Sequence, residues 1–259
     1  MSVAPPPSLP PPPAAGSPRY FALLYSPSAA RATLATLLAL ADEISAGAGR
    51  GLDHSVAHVR LEWWRGEAER YTRGEPQHPW LRALMVRAPE GWRLNLQPLV
   101  HAAAIDLATE TLGARPGPAL PPAALQGAVF ELAESALRTE PGAAPPSARL
   151  QRALRDLGER TGALERFTAG RTPPAAATAA AAAVDTALEL LRQQGRAIDG
   201  ALQPRLAPLL VWIALAAKHA QRRARRPDGN SGSTLDAFAD NIVAWNAARR
   251  AARGRFRIE

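Results

Sequence analysis

Apolar residues recur along this chain with the spacing of helices rather than strands. Leu34, Leu37, Leu38 and Ala41 form one stripe in a segment predicted to be helical from Ser28 to about Ala46. Gly47, Gly49 and Gly51 follow and end it. A second helix is predicted from about Ser55 to Arg73, with Val56, Val59, Trp63 and Ala68 toward the core, and Gly74, Pro76 and Pro79 break it. A short helix follows from Trp80 to Val86. The next, about Leu94 to Leu112, has Leu96, Leu99, Val100, Ala103 and Leu107 as its stripe. Further helices are predicted over Ala123 to Leu137, then from a Ser147 cap to about Phe167, and over the alanine-rich Ala175 to about Gln194. The most apolar runs from Gln203 to Arg225, and the last is capped by Ser233 or Thr234 and ends near Arg253. Linkers rich in proline and glycine separate these segments at 114–122, 139–146, 170–174 and 226–233. The pattern predicts eight or nine helices in one all-α bundle.

Composition sharpens the fold class. The 259 residues can bury one sizeable core. Alanine, the best helix former, is the commonest residue, and aromatics make up only 5%. Cysteine is absent, which excludes a disulfide framework, a thiolate metal site and a cysteine nucleophile. Residues 1–18, MSVAPPPSLPPPPAAGSP, carry enough proline to forbid a helix and are expected to form a disordered tail before a helical domain over 19–255. The tail has neither the cationic start and apolar core of a secretory signal nor the arginines of a mitochondrial presequence. The longest apolar run, 206–217, falls well short of the roughly 20 residues that cross a bilayer. A cytoplasmic protein, peripheral at the inner face of a membrane at most, is expected.

The net charge of +8 is unevenly placed. Residues 218–259 hold ten basic and four acidic residues, so they carry +6 of that total. A basic end of this kind suits an anionic membrane surface, contacted through 218–257, or a solvated helix terminus. No nucleic-acid partner is expected, because the basic residues lack interleaved aromatics and no DNA-binding module is evident.

Candidate chemistry is sparse. The phosphate-binding loops, the nucleophile elbow and the zinc-protease motif are all missing from the sequence. His54, His58 and Glu62 share one helix face at metal-ligand spacing, but the same spacing describes a polar face opposite Val56, Val59 and Trp63. Asp42 and Glu43 are adjacent, so their side chains diverge by about 100°. Asp156 and Glu159 share a face and could hold a hard cation, yet Arg155 and Arg160 flank them. Trp63, Trp64, Trp92 and Trp212 could line a cavity or simply pack. Arg65 could orient a diphosphate or pair with Glu62 or Glu69.

Several segments resemble the squalene/phytoene synthase family. They are SPRYFALLYSPSAARATLATLLALADEI (17–44), VAHVRLEWWRGEAERYTRGEPQHPWLRAL (56–84) and LVHAAAIDL (99–107). LQRALRDLGER (150–160) and LAPLLVWIALAAKHAQRRARR (206–226) extend the likeness over most of residues 17–226. The most specific piece joins a W-R-x-E helix to a G-x-P-x-H-P loop. The resemblance implies an isoprenoid-synthase bundle around a central cavity. It implies Arg31, Arg65 and Asp106 as substrate-binding positions. It also implies metal-motif positions at Asp42, Glu43, Asp156 and Glu159. Active members join two prenyl diphosphates head to head, with Mg²⁺ stabilising the leaving diphosphate. Both motifs are degenerate here. No acid follows Asp42 and Glu43 at helical spacing, and Arg160 stands where the second motif needs a carboxylate. The resemblance therefore implies a divergent, non-catalytic member that binds an isoprenoid lipid, a diphosphate or a protein partner, much like respiratory-complex assembly factors. No cofactor is expected in that case; the alternative is a Mg²⁺-dependent prenyltransferase.

Overall fold

A computed structural model describes residues 10–47, 53–87, 94–112, 120–138, 145–170, 177–225 and 234–258. Within these residues the chain forms ten helices and no strand. They are α1 (Pro18–Leu24), α2 (Ser28–Gly47), α3 (His54–Arg73), α4 (Pro79–Arg87), α5 (Gln97–Leu112), α6 (Ala124–Leu137), α7 (Ala148–Thr168), α8 (Ala177–Gly195), α9 (Gln203–Arg225) and α10 (Thr234–Ala252). The all-α class read from the sequence holds. Of the proline-rich segment 1–18, residues 1–9 and Trp92 further on lie outside the described residues. Residues 10–17 form no helix, and Pro10 is buried.

Helix α1 is the element the periodicity did not predict. At seven residues it is too short for a stripe, but its start is written in the sequence. Ser17 accepts a hydrogen bond from the Tyr20 N–H, and Pro18 sits in the first turn, where a missing N–H costs nothing. The helix buries Phe21, Ala22 and Leu23. Arg31 holds its far end by donating to the carbonyls of Leu23 and Ser26 at 3.1 and 3.0 Å.

Helix α9 is the centre of the bundle. Leu206, Leu209, Leu210, Val211, Trp212, Ile213, Leu215, Ala216, Ala217 and Ala220 are all buried, so the helix is enclosed on nearly every side. Helices α1, α6, α7, α8 and α10 pack around it. No described helix is long and apolar enough to cross a membrane. Helices α6 and α7 approach closely where Gly127 meets Gly158 at their crossing. A Cβ on Gly158 would lie 2.5 Å from the Gln126 carbonyl oxygen and 2.9 Å from the Gly127 Cα.

The stripe assigned to α3 requires a correction. Val56, Val59 and Trp63 are exposed, while Ala57, Leu61, Trp64, Ala68 and Tyr71 face the core. Both sets have helical spacing. Only the second continues along the whole helix; the first runs on into Glu67 and Arg70. Glu67 is fully buried and ties α3 to the loop before α4. Its carboxylate accepts the backbone N–H groups of Gln77 and His78 at 2.8 and 2.7 Å, and pairs with Arg70 at 2.8 Å. Gly74 ends the helix with φ 93°, a conformation that suits a residue without a side chain.

Candidate functional site

A cavity of about 400 Å³ opens between α1, α2, α5, α6, α7 and α9. Its walls are mostly small residues, and its polar groups come from all six elements: Arg19, Asp42, Asp106, Gln126, Glu165, Arg166 and His219. The positions follow from local sequence. The Ser17–Pro18 cap starts α1 so that Arg19 points inward, and Gly162 on α7 lets Ala123 and Gln126 pack directly against its backbone.

Two arginines dominate the electrostatics. Arg19 pairs with Asp42 on α2 and donates to Gln126 Oε1 at 3.2 Å. It lies 3.9 Å from Glu165 on α7 and stacks over the Trp212 indole, 5.3 Å from the ring centroid. Burial opposes its charge, but Glu165 and Asp42 outweigh that, and its pKa is raised. Arg166 pairs with Asp106 at 2.5 Å. Asp106 also accepts the N–H groups of Ala124 and Leu125 at 2.9 and 3.1 Å. It thereby caps α6, whose own N-cap residue, Ala123, supplies no side-chain hydrogen bond.

Glu165 and His219 complete the cluster. Burial pushes the Glu165 carboxyl up, against Arg19 and the Trp212 indole N–H, which donates to it at 2.7 Å. Burial, reinforced by Arg222, pushes the His219 imidazole down to about 4. It is therefore neutral at pH 7, and its contact with Asp240 at 2.9 Å is an imidazole N–H donating to a carboxylate rather than an ion pair. Gln126 Nε2 is a buried donor with no protein acceptor, and Arg19 fixes the amide's orientation by occupying the oxygen.

The residues singled out from sequence separate in space. Asp42 and Asp106 meet in the cavity. Glu43 turns away to His78, 3.2 Å distant. Asp156 lies in a different recess with Arg149 and Arg152. Glu159 leans on Gly127, and its carboxyl is pushed up by burial and by Asp156. Arg31 is occupied at the end of α1, and Arg65 pairs with Glu62 on the exposed side of α3. His54 and His58 touch at 3.0 Å on the same helix, with Glu62 taken by Arg65. Trp212 belongs to the core and lies under Arg19 without lining the cavity.

Sequence reasoning missed Arg19, Glu165 and His219 as partners. Glu165 and His219 carry no motif. Arg19 does have a signal: it directly follows a Ser-Pro helix start, which fixes where its side chain goes.

The carboxylates here do not fit a Mg²⁺ site. Magnesium needs free carboxylate oxygens in octahedral geometry. Asp42 is held by Arg19, Asp106 by Arg166 and two backbone N–H groups, and Glu165 by Arg19 and Trp212. Asp156 and Glu159 do not line the cavity. Among the described residues, no three acids or histidines gather at metal-binding distance. No family model, curated protein or solved structure matches this chain.

Proposed function

We propose that this chain is a degenerate squalene/phytoene synthase-like protein, a non-catalytic scaffold that holds one isoprenoid by its polar head. One observation carries the reading: the acids lining the cavity are already saturated by arginines and N–H groups. A synthase needs such acids free to bind metal, because the metal takes up the charge of the departing diphosphate. Here the arginines neutralise the acids instead, which leaves those acids little to offer a metal.

Size and polarity support the same reading. About 400 Å³ lies at the small end of single-ligand pockets, whereas head-to-head condensation holds two prenyl diphosphates at once. The Gln126 amide N–H offers a buried donor to an oxygen-bearing head group. A diphosphate oxygen or a quinone-like carbonyl would satisfy it.

The second reading is a Mg²⁺-dependent prenyltransferase that makes squalene or phytoene. Asp42 and Asp106 sharing one cavity favours it. It requires both arginines to release their acids.

Equilibrium dialysis of labelled farnesyl diphosphate tests the proposal. One equivalent should bind, with an affinity indifferent to Mg²⁺, and Gln126→Leu should weaken it about fivefold through the lost hydrogen bond. Binding that appears only with Mg²⁺ would support the synthase reading instead.

A further inference from the structure

Helix α10 presents an outward face that the fold does not use. Leu235, Phe238, Ile242 and Trp245 are 80%, 66%, 45% and 52% exposed. They stand at i, i+3, i+7 and i+10. Arg249 continues the series at i+14, so the five positions fall within an arc of about 80°, and the exposed Arg253 follows the last residue of the helix. The opposite face, Asp240, Ala244, Ala247 and Ala251, is buried. The helix is amphipathic twice over: small residues turn inward, and large apolar residues turn outward.

Charge is sorted the same way. The acids of α10 point inward, where Asp236 pairs with Arg222 and Asp240 meets Arg222 and His219 of α9. The outward arc and the residue just past it therefore carry arginines and no carboxylate among the described residues. Arg249 lies 5.1 Å from the centroid of the Trp245 ring, which joins the cationic end of the arc to its apolar part. Helices α9 and α10 run antiparallel, since Gln203 bonds the backbone of Phe256 while Arg222 reaches Asp236. Arg223 and Arg225 at the end of α9 thus flank the Leu235 end, and Arg255 and Arg257 follow the Trp245 end.

We infer that the outward face of α10, formed by Leu235, Phe238, Ile242, Trp245 and Arg249, docks this protein on an anionic lipid surface together with Arg253 just past its end. A helix with large apolar residues along one line, a tryptophan and flanking arginines lies in the plane of a membrane interface, its apolar side chains among the acyl chains and its arginines at the head groups. A second copy of the chain fits less well. Packing two such faces together sets arginines against leucine or against arginine, with no acid on either face to receive them. The inference rests on exposure and charge placement and is independent of what occupies the cavity.

Co-sedimentation with vesicles tests it on the full chain. Vesicles of phosphatidylcholine and phosphatidylglycerol in equal parts should bind the protein, and pure phosphatidylcholine vesicles should bind it at least about tenfold more weakly. The double substitution Phe238→Ser with Trp245→Ser should reduce binding to the anionic vesicles by about tenfold or more. Arg249→Ala with Arg253→Ala should reduce it about tenfold and remove much of its sensitivity to salt. All four side chains are outside the core, so melting temperatures should stay near the wild type, which separates lost docking from lost folding. Equal binding to both vesicle types, or variants that bind as well as the wild type, would overturn the inference. So would a wild-type dimer in light scattering that Phe238→Ser with Trp245→Ser dissolves, which would assign the face to a second copy.

Discussion

Two buried titratable residues show how single side chains are held in this fold. Glu67 sits in the core without solvent, and three donors satisfy its charge: Arg70 and the N–H groups of Gln77 and His78. Glu67→Ala leaves these donors without an acceptor and should cost about 3 kcal/mol in urea denaturation. Glu67→Gln, which keeps an acceptor for the backbone, should cost less. His219 is the opposite case, a group kept neutral. It faces Asp236 and Asp240 of α10 and Glu165 of α7, with Arg222 on its own helix, and its pKa falls to about 4 from an ordinary 6.5. The unfolded chain takes up this proton at higher pH than the folded one does. The contribution of His219 is therefore complete above pH 6.5 and lost as pH falls to about 4, at full extent about 3 kcal/mol. The raised carboxyls of Glu165, Glu134 and Glu159 act in the opposite sense on acidification, so the wild type alone does not isolate the effect. The comparison is with His219→Gln, which keeps a donor for Asp240 and does not titrate. Its stability should fall less than the wild type's between pH 7 and pH 4. Parallel curves would refute this account of His219.

At the scale of elements, close packing of small residues reverses an ordinary rule. Replacing a mid-helix glycine with alanine usually stabilises by about 1 kcal/mol. At Gly158 the new methyl would press on the Gln126 carbonyl oxygen and the Gly127 Cα, both backbone atoms that cannot swing aside. Gly158→Ala should instead destabilise by about 2 kcal/mol, read as a lowered melting temperature. The helices themselves were largely legible in the sequence. Stripes such as Leu34-Leu37-Leu38-Ala41 are apolar on one side and polar on the other, and proline or glycine marks their ends. The face of α3 was not legible from its richest residues. Val56, Val59 and Trp63 outweigh Ala57, Leu61 and Trp64 in apolar bulk, yet only the latter set continues unbroken through Ala68 and Tyr71. Continuity of a stripe decided which side is buried. The cavity was half legible. Asp42 and Asp106 are positions that the family resemblance implies, Asp42 with its neighbour Glu43 and Asp106 by itself. Their partners Arg19 and Arg166 lie 23 and 60 residues away from those acids, and pairings of that range carry no local pattern.

The whole molecule joins a buried centre, a polar cavity and an apolar outer face. Helix α9 supplies the centre and places Trp212 beneath Arg19. Around it, α1, α2, α5, α6 and α7 bring acids and arginines together in matched pairs. Helix α10 closes the far side of α9 and leaves its own large residues outside. The proposed function follows from the matching: acids already paired with arginine are not free to gather metal, and the Gln126 amide would receive the polar head. Incubation of the pure protein with labelled farnesyl and geranylgeranyl diphosphates, Mg²⁺ and NADPH tests this most directly. The account predicts folded protein and no squalene- or phytoene-type hydrocarbon. Formation of such a hydrocarbon, abolished by Asp42→Asn or Asp106→Asn in protein that remains folded, would contradict it and show that the arginines yield their carboxylates to metal.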